Sequence, residues 1–249
     1  RLESPFRLLL RSGPEQREGV LNADFVLDCS GVFGSHNWLG PGGAPSPGER
    51  ELEHRIDYQL PDVLQRDRDR FASRRVLVVG NGYSAATAIV ALAELQASCP
   101  ETSIHWLTRR KCAAPMTPVP DDSLPERRRL TERANKLAVA GTTEQGRGVD
   151  WICGAVVNRL TKDSDGAMEV EIEFPADRRS RSLNLTVDQV VALVGYRPDR
   201  SLYEELQIHE CYASQGPMRL AASLAGQESA DCLTQQGGEI DTLRNPEPG

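Results

Sequence analysis

The sequence predicts an α/β protein built around a parallel β-sheet, and three consecutive segments carry that prediction. Arg75–Val79 contains four apolar side chains in a row, a pattern typical of a strand buried on both faces. Apolar residues then recur at helical spacing over residues 84–96, with no glycine or proline among them. A second strand is predicted over Ser103–Thr108, so the three segments form one β–α–β unit.

Segments before this unit are predicted to contain a strand pair and a long loop. Phe6–Leu10 and Ala23–Ser30 are the two apolar runs expected to form the strands. Residues 31–50 hold six glycines and three prolines, a composition that excludes a helix or a central strand. We therefore expect a long ordered loop or a crossover between domains there.

Segments after the unit predict one more helix and then further strands. Ser123 and Glu126 have the spacing of a capping box, which predicts a helix that runs to about Ala140. From Val149 to Gly195 the pattern is β, with strict polar–apolar alternation over residues 169–174. The expected fold is thus a parallel sheet with an added β-meander.

Composition excludes several classes of protein. The 249 residues carry 36 acidic and 29 basic side chains, a net charge of -7, which disfavours a nucleic-acid partner. No apolar run approaches the ~20 residues that span a bilayer, so no membrane association is expected. The cysteines form no CxxC pair and no cluster at metal-ligand spacing, so we expect reduced thiols, no metal site and a cytoplasmic protein. They are Cys29, Cys99, Cys112, Cys153, Cys211 and Cys232.

A GxGxxA motif follows the first predicted strand directly and opens the predicted helix. The first glycine permits a tight turn, the second lets the backbone approach a pyrophosphate, and the alanine allows close packing of helix and strand. The helix N-terminus offers free N–H groups and a positive dipole end to the phosphates. This context predicts a dinucleotide site, and its residues are Gly80, Asn81, Gly82, Tyr83, Ser84 and Ala85.

The end of the next predicted strand indicates which nucleotide binds. NAD sites place an acidic residue there for the ribose 2′-hydroxyl, whereas NADP sites place arginine there for the 2′-phosphate. This strand ends in Thr108, Arg109 and Arg110, with no acidic residue. Two guanidinium groups and a hydroxyl suit a phosphate, so NADP(H) is the predicted cofactor. The alternative is a solvated basic loop without a ligand.

Three motifs in this order resemble those of flavoproteins with two dinucleotide-binding domains. The motifs are Asp28–Gly31, Gly80–Ala85 and Val194–Asp199, and the resemblance covers roughly residues 24–200. The family includes flavin-containing monooxygenases, related bacterial FAD-dependent oxidoreductases and pyridine nucleotide-disulfide reductases. The resemblance implies that Ser30 and Gly31 lie beside FAD, and that the chain returns to the FAD domain at Gly195, Tyr196 and Arg197.

The resemblance also implies a domain organisation. A Rossmann-like NADP-binding domain is expected over residues 55–197, inserted into a partial FAD-binding domain made of residues 1–54 and 198–249. The family's first GxGxxG and its terminal Gly-Asp segment are absent from this sequence. We therefore expect an internal piece of a longer protein, one that by itself holds FAD poorly or not at all.

The activity implied by the resemblance is hydride transfer from NADPH to the flavin of FAD. Oxygen is the first expectation for the acceptor, which would make the parent a monooxygenase, followed by a quinone, a disulfide or another small molecule. No catalytic residue is nominated, and a homodimer is left open. Two alternatives remain: a non-catalytic nucleotide-binding or sensing module, and an NAD-dependent dehydrogenase, which the lack of a Tyr-x-x-x-Lys pattern disfavours.

Overall fold

The computed structural model describes residues 5–141, 147–175, 181–206, 208–225 and 240–243, and it opens with a β-hairpin. Strand β1 (Phe6–Ser12) pairs antiparallel with β2 (Arg17–Ala23) across a turn at Gly13, where φ is +71°. The prediction of a strand over Ala23–Ser30 is therefore wrong. The short turn selects residues 17–23 as the partner of β1, and within the described part of the chain no strand lies beside residues 24–30.

Contacts divide the chain into two compact units. One is His36–Tyr196, and the other combines Arg1–Ser35 with Arg197–Gly249. Residues 36–50 of the glycine-rich segment belong to the first of these, and Leu39 within the segment and Leu52 just after it are buried in that unit's core. The boundary predicted from the sequence, at residue 55, places this segment in the flanking domain.

Besides short 3-10 turns at Pro41–Gly43 and Glu53–Arg55, the His36–Tyr196 unit contains three α-helices and eight strands in its described part. In chain order these are β3 (Ile56–Asp57), α1 (Arg68–Phe71), β4 (Arg75–Val79), α2 (Tyr83–Ser98), β5 (Ser103–Thr108), α3 (Pro125–Ala140), β6 (Val149–Cys153), β7 (Val156–Lys162), β8 (Met168–Phe174), β9 (Arg181–Val187) and β10 (Gln189–Ala192).

These strands form two sheets. Five of them make a parallel sheet in the order β3-β10-β4-β5-β6, and the other three make an antiparallel sheet in the order β7-β8-β9. In the parallel sheet Leu77 of β4 lies between Val190 of β10 and His105 of β5. The predicted α/β fold, a parallel sheet with an added β-meander, is thus confirmed.

Strand β4 shows why an uninterrupted apolar run predicts a central strand. Val76 and Val78 pack with helices α2 and α3 on one face of the parallel sheet, while Leu77 and Val79 pack against the antiparallel sheet on the other. All four side chains are almost completely buried. Both faces of the sheet are therefore covered, as a parallel sheet requires.

The glycine-rich segment is anchored by a buried carboxylate. Glu49 is fully buried, and its two oxygens accept hydrogen bonds from the backbone N–H groups of Leu39 and Ser46, each at 2.8 Å. The hydroxyl of Tyr58 donates a third bond to it, also at 2.8 Å. Burial and the neighbouring Glu49 carboxylate raise the pKa of Tyr58 well above its usual value. A loop without regular structure is thereby held on the core.

Helix α3 begins differently from the prediction. Leu124 occupies the N-cap and Pro125 the first helical position, so the predicted capping box of Ser123 and Glu126 is wrong. Asp122 instead accepts a bond from the Leu124 N–H at 2.9 Å and pairs with Arg127 at 2.6 Å. Proline is well suited to the first turn, because its missing N–H would have no partner there.

A paired Arg75 and Asp188 close the amino end of the parallel sheet, and we expect this pair to make stability depend on pH. Asp188 accepts bonds from the Arg75 guanidinium at 2.7 and 3.1 Å and from the Arg75 backbone N–H at 2.8 Å. These bonds lower the pKa of Asp188 below its usual 3.8. Because the folded-state pKa is depressed, the stabilisation is present above that value and is lost as pH falls through it.

Asp188→Asn should therefore lower the free energy of unfolding by about 1 kcal/mol at pH 7, and the difference from the wild type should shrink as the pH falls below 3.8 and through the lowered pKa of Asp188. Urea unfolding at pH 7, 5 and 3 measures this. Glu126→Gln, at an ion pair with Arg129 that is exposed on both sides, is the control and should have little effect. Equal stability of Asp188→Asn and the wild type at pH 7 would contradict the expectation.

The described C-terminal part of the other unit is short and largely irregular. It contains helix α4 (Met218–Leu224) and single helical turns at Glu204–Leu206 and Ile240–Leu243. Glu210 ties this part together by accepting bonds from Arg200 at 2.6 Å and from Tyr203 at 2.9 Å. In the parts of the chain that the structure describes, no helix has the length and apolar character needed to cross a membrane.

Candidate functional site

The candidate site lies at the carboxyl edge of the parallel sheet. Strands β10, β4 and β5 are adjacent and parallel, so the segments that follow them meet at one edge. Those segments contain the glycine turn after Val79, the Thr108–Arg110 stretch and the loop from Leu193 to Tyr196. Ligands of open α/β sheets bind at this edge. The fold therefore brings together the predicted site residues that lie within the His36–Tyr196 unit.

Gly80 begins the turn and has no room for a side chain. Its φ is +132°, a conformation that favours glycine, and a Cβ there would lie 2.2 Å from the carbonyl oxygen of Leu193. The Gly80 N–H donates to the carbonyl of Leu107 at 3.1 Å. The first glycine of the motif thus lets β4, β5 and the loop after β10 approach one another closely.

Gly82 caps helix α2 and leaves open space in front of it. Its φ is −85°, and a Cβ built there meets no atom within 4 Å. Among the described residues no side chain caps this helix, so its first N–H groups are available to a ligand. Asn81, Tyr83 and Ser84 are exposed around this opening, whereas Ala85 is fully buried against the core. These features match the pyrophosphate-binding role that the motif predicts.

A tryptophan on the neighbouring strand holds the turn in place. The indole Nε1–H of Trp106 donates to the Gly80 carbonyl at 2.7 Å, and the ring is fully buried. Trp106 is not among the site residues predicted from the sequence. A tryptophan in the middle of a buried strand signals that its N–H needs an acceptor, but only the register identifies which one.

The predicted 2′-phosphate residues differ in their surroundings. Arg109 and Arg110 are exposed, and within the described chain neither makes an ion pair. Thr108 is buried, and its hydroxyl accepts a bond from the indole N–H of Trp151 at 3.0 Å. The two guanidinium groups are therefore accessible to an anion, while the threonine supports the strand end from within.

The loop after β10 is fixed beside the glycine turn. Asn37 donates its backbone N–H to the Gly195 carbonyl at 2.9 Å and its side-chain amide to the Val194 carbonyl at 3.3 Å. Gly195 has a φ of +91°. The hydroxyl of Tyr196 donates to the Tyr58 carbonyl at 2.7 Å, and burial raises the pKa of Tyr196. The return segment is thus a fixed part of this unit.

Three predicted site residues lie in the other unit. Ser30 donates its N–H and its hydroxyl to the Asp28 carboxylate at 2.9 and 2.7 Å, and these bonds lower the pKa of Asp28. Gly31 follows with a φ of +73°. Arg197 donates its backbone N–H to the Ser35 carbonyl at 2.7 Å. Their placement beside FAD stays a prediction.

The two implied cofactors fit this chain unequally. The open turn at Gly82, the uncapped helix and the exposed arginines suit a phosphorylated dinucleotide. The unit that contains Ser30 has, among its described residues, no strand that leads through a glycine turn into a helix. The described residues of that unit therefore do not by themselves supply a grip for the FAD pyrophosphate.

Fold and site together define a Rossmann-like domain of the type found in FAD- and NAD(P)-dependent oxidoreductases. The model of one protein family, pyridine nucleotide-disulphide oxidoreductase, matches residues 22–213. The chain belongs to this family. No curated protein matches the sequence.

Solved structures with a similar fold include both disulfide reductases and a monooxygenase. Bacillithiol disulfide reductase from Bacillus cereus has 16% sequence identity and a TM-score of 0.62, over 86% of this chain and 53% of that one. The cadaverine monooxygenase of desferrioxamine biosynthesis from Erwinia amylovora, bound to FAD, has 14% identity and a TM-score of 0.60, over 86% of this chain and 55% of that one. Thioredoxin reductase from T. acidophilum has 16% identity and a TM-score of 0.52, over 79% and 52%. This chain thus spans about half the length of each.

Proposed function

We propose that the His36–Tyr196 unit binds NADP(H) and that the protein is an FAD-dependent oxidoreductase in which NADPH reduces the flavin. The observation that carries this proposal is the glycine turn at the carboxyl edge of the parallel sheet, with a helix behind it that no described side chain caps and two exposed arginines after the next strand. Membership of the pyridine nucleotide-disulphide oxidoreductase family supports both cofactors.

Each part of the site has a separate role in this proposal. The N–H groups at the start of α2 bind the pyrophosphate, and Gly82 leaves room for it. Arg109 and Arg110 bind the 2′-phosphate and so favour NADPH over NADH. The loop held by Asn37 flanks the turn on the side of β10. When bound, NADPH supplies a hydride at its nicotinamide ring, and the protein supplies binding and orientation.

For the acceptor of the electrons we retain oxygen, as in a monooxygenase. Transfer to oxygen needs no dithiol, and the sequence has no CxxC pair. The cysteines within the described residues are all free thiols. A pyridine nucleotide-disulfide reductase is the second candidate, supported by the family and by the two reductases of similar fold. That candidate would take its dithiol from outside this sequence.

A non-catalytic nucleotide-binding module is a further candidate, which the described residues of the Ser30 unit favour because they provide no FAD grip. Absorbance spectra of the purified chain, recorded after addition of FAD and removal of free flavin, test the FAD-dependent oxidoreductase against this non-catalytic module. Flavin that is retained and then bleached by NADPH in the absence of oxygen supports the oxidoreductase. Because this chain by itself is expected to hold FAD poorly, nucleotide binding without retained flavin supports the module only if the coding sequence does not continue upstream into a second glycine-rich strand–turn–helix.

The NADP(H) assignment is tested by calorimetric titration of the 249-residue chain with NADPH and NADH. We expect NADPH to bind more tightly, and Arg109→Ala/Arg110→Ala to weaken NADPH binding about 10- to 100-fold while NADH binding stays unchanged. The reason is that the double variant removes charge-assisted hydrogen bonds that only the 2′-phosphate can make.

Arg74→Ala is the control, because it removes an exposed arginine directly before β4, at the opposite, amino end of the sheet. It should leave both affinities unchanged. Equal affinity of the wild type for the two dinucleotides would contradict the NADP assignment but not the glycine turn. If the folded wild type binds neither dinucleotide, the proposed site is wrong.

A further inference from the structure

We infer that Trp106 is a positioning residue for the dinucleotide pyrophosphate, an inference that rests on the nucleotide binding proposed above. Its indole N–H donates to the Gly80 carbonyl at 2.7 Å, and its ring is fully buried. The residue touches the turn from behind and not from the ligand side. Its effect on binding would therefore act through the backbone of the glycine turn.

The Gly80 carbonyl shares one peptide plane with the N–H of Asn81. In a trans peptide these two groups point in opposite directions, and the structure has no cis peptide bond among its described residues. When the indole of Trp106 binds the carbonyl from the packed side, the Asn81 N–H must face away from that side. One hydrogen bond in the core thus sets the direction of a donor at the surface.

The Asn81 N–H is free to bind a ligand. Asn81 is exposed, and no acceptor for its N–H is found in the part of the chain that the structure describes. It precedes Gly82, which caps α2 and has open space around its Cα. Its N–H therefore adds to the free N–H groups of the first helical turn, and anions bind where such groups converge.

The packing around Trp106 allows little alternative orientation of this peptide. Trp106 pairs in register with Val78 of β4 on one side and with Trp151 of β6 on the other. Gly80 is held in addition through its own N–H, which donates to Leu107 at 3.1 Å. Without the indole donor, the buried carbonyl would lose its partner, and the Gly80–Asn81 peptide could rotate to seek another.

Trp106→Phe tests this role because it keeps a buried aromatic ring and removes the donor. We expect the dissociation constants for NADPH and NADH to rise by the same factor, about tenfold, because both ligands carry the pyrophosphate. Trp38→Phe is the control. Within the described residues the indole N–H of Trp38 has no acceptor, and its ring packs on His36 and Tyr58 instead. The affinities of Trp38→Phe for NADPH and NADH should equal those of the wild type.

Loss of thermal stability with unchanged affinities, measured where Trp106→Phe is folded, would show a merely structural role and overturn the inference. Trp106→Phe should raise the dissociation constants for NADPH and NADH by the same factor, whereas Arg109→Ala/Arg110→Ala should change the ratio of the two affinities. This difference separates the inference from the 2′-phosphate assignment. A folded wild type that binds neither dinucleotide overturns both the inference and the proposed function.

A second measurement needs no variant. In 15N-labelled wild-type chain, saturation with NADPH should shift the amide signal of Asn81 and the indole N–H signal of Trp106 with one shared dissociation constant. The reason is that a bond to one end of the peptide polarises the bond at the other end. An indole signal that stays fixed while Asn81 shifts would overturn the coupling between them.

Discussion

Gly80→Ala should lower the free energy of unfolding by about 2–4 kcal/mol and abolish dinucleotide binding. Two independent costs combine at this position. Alanine rarely adopts the φ of +132°, and its Cβ would lie 2.2 Å from the Leu193 carbonyl oxygen, which is backbone and cannot turn aside as a flexible side chain could. The loop after β10 must then move, and the glycine turn moves with it. Urea unfolding and titration with NADPH measure the two effects.

Gly82→Ala is the contrasting variant, because it should weaken dinucleotide binding with only a small effect on the stability of the fold. Its φ is −85° and its Cβ would meet no atom within 4 Å, so stability should fall by at most about 1 kcal/mol, chiefly because alanine is a poorer N-cap than glycine. Binding should still weaken, since the methyl group occupies the space that the pyrophosphate approaches. If Gly82→Ala binds NADPH as the wild type does, the phosphates do not lie over this turn. If Gly80→Ala is as stable as the wild type, the close approach to Leu193 is not maintained in solution.

Glu49→Ala should lower the free energy of unfolding by about 3–5 kcal/mol. The carboxylate is fully buried and satisfies three donors, the N–H groups of Leu39 and Ser46 and the hydroxyl of Tyr58. Alanine removes the acceptor for all of them and leaves a void, and each buried donor without a partner costs about 1–3 kcal/mol. Urea unfolding at pH 7, followed by circular dichroism, measures the loss.

The control for Glu49 is Glu51→Ala, two residues further along the same segment. Glu51 is exposed, and within the described residues it has no ion-pair partner, so its removal should change stability by less than about 0.5 kcal/mol. A small effect of Glu49→Ala would mean that residues 39–58 are not held on the core in solution. Hydrogen exchange of the Leu39 and Ser46 amides would then be fast in the wild type as well.

The sequence was sufficient to predict the β4–α2–β5 unit because several local signals agree there. An uninterrupted apolar run, a glycine turn and an apolar helical spacing all point to the same layout, and the structure confirms it. Strand β9 lies inside the Val149–Gly195 region that was predicted as β, but no separate strand was predicted over Arg181–Val187. These residues form one because β8 pairs with them along their whole length.

The failed predictions share a physical cause. An apolar run such as Ala23–Ser30 predicts a strand only if a partner strand lies beside it, and pairing is not a local property. The capping box at Ser123 competed with Asp122, whose carboxylate binds both Leu124 and Arg127. Composition cannot decide which of two neighbouring side chains will cap a helix.

The candidate site was predicted at the level of its backbone and not of its supporting side chains. The glycine pattern depends on local sterics and can be found by inspection. The bonds from Trp106 to Gly80 and from Asn37 to Gly195 join residues that are distant in the chain, so they depend on strand register. Whether the site binds NADP(H) stays a prediction, and the titrations above decide it.

The hydrogen bond between Asn37 and Gly195 means that the two ends of the His36–Tyr196 unit are neighbours. His36 and Tyr196 themselves form an antiparallel bridge. A unit whose ends meet can be joined end to end and reopened elsewhere without stretching its backbone. A circular permutant with a short linker from residue 196 to residue 36, and new termini in the exposed turn at Ser164–Asp165, should keep the same strand order. The chain thus enters and leaves the His36–Tyr196 unit at neighbouring positions, as an inserted domain does.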